Sequence, residues 1–145
     1  MAGAIELLLP AIAPGRVDIL CVAFGVNDTT AFRRHHQWLA DLGELLRQLH
    51  ARVQPACILL AGVPPLQQFP ALPWPLRSVL GMKAASLDRG LARLAKAWPN
   101  CYHVPMAASL NRDGLMASDG YHPSAAGCTS WASWLAQAVP AQWKA

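Results

Sequence analysis

The sequence predicts an α/β fold built on a parallel sheet. Three observations carry this: three near-continuous apolar runs rich in strand formers, amphipathic helical segments between them, and 14% charged against 54% apolar residues. Strands covered by helices on both faces read as continuous apolar runs rather than as alternating ones. The length of 145 residues suits one compact domain over 1–145, and the apolar share argues against disorder.

Each element follows in order. Ala4 to Ala13 predicts a short helix that Pro10 interrupts or ends. Val17 to Phe24, "VDILCVAF", predicts the first strand. Phe32 to Val53 carries Trp38, Leu42, Leu45, Leu46, Leu49 and Val53 at helical spacing. Ala56 to Val63, "ACILLAGV", predicts the second strand, and Val79, Leu80, Leu87, Leu91, Leu94 and Trp98 mark the next helix. Cys101 to Val104 predicts the third strand. A last helix runs from Ser124 to Val139, with Pro123 at a first-turn position where its missing N–H costs nothing. On that helix Trp131 and Trp134 stand at i, i+3 and read as core contacts. The order α-β-α-β-α-β-α implies right-handed crossovers with helices on both faces of the sheet. Three strands make a narrow sheet for this class.

Composition excludes several functions. Net charge is +4, yet the basic residues are scattered, and the densest run is only Arg33-Arg34-His35-His36. A nucleic-acid reader needs a longer basic stripe or a reader motif, so no nucleic-acid partner is expected. His35, His36 and His50 read as an exposed helix face without metal-ligand spacing, and Arg33 and Arg34 as solvated. Cys21, Cys57, Cys101 and Cys128 show no C-x-x-C spacing, and the three in strands read as small buried hydrophobes. Neither a metal nor another cofactor is implied. The N-terminus lacks the basic start of a signal peptide, and no apolar stretch reaches membrane-spanning length. A soluble, cytoplasmic chain is the expectation.

In open parallel sheets, sites form beyond the carboxyl ends of the strands. Three unusual stretches fall there. "GVNDTT" follows the first strand, a proline-rich loop from Pro64 to Pro75 follows the second, and a connection leading to "DGYHP" follows the third. In the last, Asp119 stands three residues before His122 across Gly120. A neutral imidazole can take a proton from a hydroxyl nucleophile when a carboxylate fixes its tautomer and supports the charge it gains. The alternative is a turn that Asp119 organises ahead of Pro123. Asn27 offers a side-chain amide suited to a developing oxyanion. Its alternative is a strand-to-helix turn in which Asp28 caps the next helix. Phe69, Leu72 and Trp74 in the Pro64–Pro75 loop form a candidate apolar wall for an acyl chain, or else cover the end of the sheet.

"FGVNDTT" and "DGYHPSAAG" resemble the third and fifth sequence blocks of the SGNH (GDSL-type) hydrolases, a family of esterases and lipases. The stretch "VPPLQQFPALPWPLRSVLG" between them looks like one bacterial branch of it. The resemblance covers essentially the whole chain. It implies a flavodoxin-like three-layer α/β/α sandwich with strand order 2-1-3-4-5 and metal-free hydrolysis of a small ester or acylated substrate. On this resemblance Asn27 is the oxyanion asparagine, His122 the base and Asp119 the acid that orients it. An acyltransferase or carbohydrate deacetylase could use the same site.

One departure stands out. The chain contains no Gly-Asp-Ser tripeptide, where the family places its nucleophile. Gly3 is the only nearby candidate for the family's oxyanion glycine, and it stands too close to the first strand. Ser118 and Ser124 lie beside the Asp–His pair in its own turn, Ser78, Ser86, Ser109, Ser130 and Ser133 fall in or near helices, and none follows a strand in a sharp elbow. The expectation is a chain whose strands match the family's third to fifth, with the first strands missing. Two functions compete: a serine esterase that takes its nucleophile from an upstream segment, and a catalytically inactive remnant used as an interaction module. Without a neighbour, Val17 to Phe24 would be an open apolar edge, inviting a homodimer.

Overall fold

The structure, a computed structural model, describes residues 4–106 and 114–144. Gly3 and Ser109 lie outside the described residues, as does most of the connection after Met106. The chain forms β1 (Ile19–Ala23), α1 (Val26–Thr30), α2 (His35–Val53), β2 (Cys57–Ala61), α3 (Leu76–Ala97), β3 (Cys101–Val104) and α4 (Ala125–Ala138). A π-helical segment, Ala4–Leu8, and a 3-10 turn, Leu9–Ala11, precede them. Both strand pairs are parallel and the order is β1-β2-β3. That order fits the last three strands of the arrangement 2-1-3-4-5, and the architecture is the expected α/β fold.

Packing follows from strand alternation. All five residues of the central β2 are buried. Ile58 and Leu60 face α2 and α3, in a core with Trp38, Leu42, Leu46, Leu87 and Leu91. Cys57 and Leu59 face the other way, where Trp134, Leu135 and Ala138 of α4 pack against them. Three layers result. Trp38 and Leu46 are both fully buried, and each large apolar side chain so removed from water stabilises the fold by about 1.5–3 kcal/mol. The N-terminal segment joins the α2 side: Leu9 packs in that core, and the Arg52 guanidinium donates to the carbonyls of Pro10 and Ile12.

Several boundaries and placements differ from expectation. The first strand is shorter than Val17 to Phe24, because Val17 bonds across to Val53 and Ala56 outside the ladder. The helix expected from Phe32 begins at His35, since Phe32 adopts φ 51° and breaks the chain away from α1. Asp28 does not cap that helix; it lies buried within α1 at 8% exposure. Pro123 precedes the N-cap of α4, where Ser124 Oγ accepts from the Gly127 N–H at 3.0 Å. Cys57 and Cys101 are buried as expected, but Cys21 is exposed, on a strand that pairs on one side only among the described residues. His35 is not on an open face: its Nε2 is buried, and a Cβ placed on Gly90 would stand 2.5 Å from it. Arg33 is half-buried and paired with Asp41.

Candidate active site

The site lies beyond the carboxyl ends of the strands, and its first wall starts at Gly25. There φ is 127°, and a Cβ would stand 2.6 Å from Val63 Cγ2. Only glycine lets the chain leave β1 this sharply and this close to the end of β2. The turn continues into α1, where Thr29 Oγ1 donates to the Gly25 carbonyl at 2.6 Å. Asn27 is thereby held, exposed, at the head of the turn.

The opposite wall is a short two-stranded bend from Leu115 to Ser124. Met116 bridges Pro123, the Ala117 N–H donates to the His122 carbonyl at 2.8 Å, and the Ser124 N–H to that of Leu115 at 2.9 Å. Asp119 organises its tip. Its Oδ1 accepts the N–H groups of Tyr121 and His122, both at 2.9 Å, and its Oδ2 meets His122 Nδ1 at 2.7 Å. Those bonds pull the Asp119 carboxyl down to about 2, the His122 backbone N–H contributing most, then the His122 ring and the Tyr121 N–H. An ionised carboxylate only accepts, so Nδ1 carries the proton and Nε2 is the basic nitrogen of the neutral ring. The two readings of this turn are therefore compatible, since one carboxylate shapes the bend and orients the imidazole. Gly120, at φ 64°, lets the bend lie against the loop after β2, and its carbonyl accepts from the Ala71 N–H at 3.2 Å.

Asn27 and His122 line the same pocket, of about 460 Å³, within the usual range for small-molecule sites. Gly25, Gly62, Phe69, Met106, Met116 and Tyr121 also line it, so its character is apolar. Phe69 is buried and meets Tyr121 edge-on, ring centroids 5.4 Å apart. Leu72 packs against the core instead, and Trp74 is 75% exposed; neither belongs to the lining. Trp131, expected as a core residue, forms part of the pocket wall, while Trp134 does pack in the second core.

The chain belongs to the GDSL-like lipase/acylhydrolase family. The family model of that description matches residues 2–130. No curated protein and no solved structure matches the chain. Membership in the GDSL-like family supports an acylhydrolase-type function, and the parallel sheet with its covering helices is consistent with that family's fold.

A second acid–histidine pair lies beside Gly62 of this GDSL-like chain. Asp88 Oδ1 on α3 meets His103 Nε2 of β3 at 2.8 Å and accepts the Val63 N–H at 2.9 Å. A Cβ on Gly62 would stand 2.8 Å from that oxygen. The pair ties α3 to the ends of β2 and β3 beside Gly62, which lines the pocket. Sequence reasoning passed over it. The available signal was an acid within the apolar stripe Ala84, Leu87, Leu91 and Ala95 of α3, because a carboxylate inside a buried stripe needs a partner. No three described His, Cys, Asp or Glu side chains cluster as metal ligands, and no helix among the described residues is long and apolar enough to cross a membrane.

Proposed function

We propose that the pocket is the acid–base and oxyanion half of a serine acylhydrolase site acting on carboxylic esters. The observation that supports it is the lining of one apolar pocket by the Asn27 turn and the His122 ring, whose Nδ1 is engaged by an ionised carboxylate. In the proposed reaction a serine hydroxyl attacks the ester carbonyl. His122 Nε2 takes the hydroxyl proton as the C–O bond forms, and the Asn27 amide donates to the oxyanion. His122 then returns the proton to the leaving alcohol as the tetrahedral intermediate collapses. Water, activated by the same nitrogen, releases the acid. Phe69 and Trp131 supply apolar contact for the acyl chain.

The nucleophile in this reading is a serine that these residues do not include. No serine is among the described lining residues. Ser124 Oγ is engaged as a helix cap, donating to the Gly114 carbonyl and accepting from the Gly127 N–H. Ser78 and Ser86 belong to α3, and Ser130 and Ser133 to α4. The same absence favours the rival reading, an inactive interaction module. Among the described residues β1 pairs on one side only, so we also propose a homodimer formed through that edge.

A fluorophosphonate probe with mass-spectrometric mapping tests the assignment. This chain is expected to stay unlabelled, and a labelled serine within it overturns the missing nucleophile. Short-chain alkylphosphonates, which mimic the tetrahedral oxyanion, are expected to bind it, and Asn27→Ala or His122→Ala to weaken them about tenfold or more, as loss of one charge-assisted hydrogen bond implies. Binding that ignores both substitutions, or none at all, supports the interaction module.

A further inference from the structure

Net charge and exposed apolar surface coincide in two segments. Residues 29–40 and 62–87 contain no Asp or Glu but carry Arg33, Arg34, Arg77 and Lys83. The remaining eight Lys/Arg balance the eight Asp/Glu of the whole chain, so its net +4 resides in these segments. The same segments hold Phe32, Trp74, Leu76, Val79 and Met82, all exposed, Trp74 by 75% and Met82 by 68%.

Contacts join the two segments into one surface. Lys83 Nζ donates to the Arg33 carbonyl at 2.5 Å and stands 6.0 Å from the centroid of the Phe32 ring. Leu76, Val79 and Lys83 follow one another at i, i+3 and i, i+4 spacing along α3, so they share a face. Arg33 pairs with Asp41, while Arg34 and Arg77 are exposed. Both segments also issue from the pocket. Phe32 follows α1, which carries Asn27, and Trp74 follows the loop that places Phe69 in the lining. The surface thus sits at the end of the sheet where the pocket lies.

We infer that this surface docks peripherally on an anionic lipid membrane, with Phe32, Trp74, Leu76 and Val79 entering the headgroup boundary and Arg34, Arg77 and Lys83 among the phosphates. Exposed aromatic and aliphatic side chains beside cations, in segments that carry no acid of their own and whose one paired cation, Arg33, is matched by Asp41, match the two attractions such a surface offers. A protein partner would have to be acidic and apolar in the same pattern; a lipid surface supplies that complementarity without shape. The docking stands on its own geometry. Only its consequence, that amphiphilic esters reach the pocket from the membrane, rests on the hydrolase reading.

Co-sedimentation with vesicles tests it. The chain is expected to bind vesicles containing phosphatidylglycerol and to bind pure phosphatidylcholine vesicles at least about tenfold more weakly, and salt is expected to release it, since surface charge attraction is screened within a Debye length. Trp74→Ser with Val79→Ser, both exposed positions, should lower partitioning about tenfold while the circular dichroism stays unchanged. Arg34→Glu with Arg77→Glu should do the same. Arg93→Glu with Lys96→Glu makes the same change in net charge away from the surface and should leave most binding intact. Absence of binding to anionic vesicles overturns the proposal. So does equal binding to neutral ones, or an equal loss in both charge-reversal pairs.

Discussion

Gly25→Ala probes the turn that carries Asn27. At φ 127° an alanine is strained, and its Cβ would stand 2.6 Å from Val63 Cγ2. Holding a non-glycine residue in a sparsely populated region costs about 1–3 kcal/mol. Forcing a methyl group into a filled space costs about 1–3 kcal/mol more. The expected destabilisation is therefore about 2–6 kcal/mol, a fall in melting temperature of roughly 6–18 °C for a chain of this size. Urea unfolding followed by circular dichroism measures it. Adding Val63→Ala should return the steric part and leave the backbone part. Gly43→Ala is the control: it lies inside α2 with nothing within 4 Å of a Cβ, and should stabilise by about 0.5–1 kcal/mol. A Gly25→Ala loss below about 0.5 kcal/mol, or a Gly43→Ala loss as large, would refute the account of the turn.

Three further outcomes are expected. Asp88→Ala leaves the Val63 N–H and the His103 ring without their acceptor and should destabilise by about 1–3 kcal/mol; Asp88→Asn keeps an acceptor and should cost less, so equal losses argue against the pairing. Asp119 has its pKa lowered to about 2; a depressed carboxyl stabilises the folded bend above its ordinary pKa of 3.8 and loses that contribution as pH falls toward 2. The Tyr121 and His122 amide signals should therefore titrate near pH 2, and a midpoint at 4 contradicts the geometry. Cys21 is the middle residue of β1, so antiparallel pairing of two copies about a twofold axis sets it opposite itself, within disulfide reach. Oxidation with copper–phenanthroline should yield dimers through Cys21 and not Cys128, whereas a clean monomer in sedimentation at micromolar concentration argues against the edge dimer.

Much of the architecture was legible because burial leaves a periodic trace. The spacing of Trp38, Leu42, Leu46 and Leu49 specifies the inner face of α2, and the unbroken run of β2 reflects helices on both its faces. The pairing of Asp119 with His122 and the position of Asn27 beyond a strand end were legible, and the fold sets Asn27 and His122 in one pocket lining. What failed depended on partners distant in sequence. His35 has its Nε2 buried because Gly90 of α3 leaves room there, which no local pattern records. Cys21 sits in an apolar run yet is exposed, because burial belongs to the neighbour and not to the run. Trp131 and Trp134 have the same spacing relation to α4, but one lines the pocket and the other the core. Trp74 resembles Phe69 in chemistry, and only the path of the Pro64–Pro75 loop separates them. Asp88 and His103 lie on different elements and meet only when α3 docks on β3.

Nuclear magnetic resonance of the His122 ring nitrogens and the Asn27 side-chain amide during titration with butylphosphonate tests the central claim most directly. The account predicts that the neutral ring of free His122 carries its proton on Nδ1. It further predicts that both groups shift together along one saturation curve as the anion fills their pocket. Signals that move separately, or an amide that stays still while the imidazole responds, would contradict a shared oxyanion and proton-transfer site.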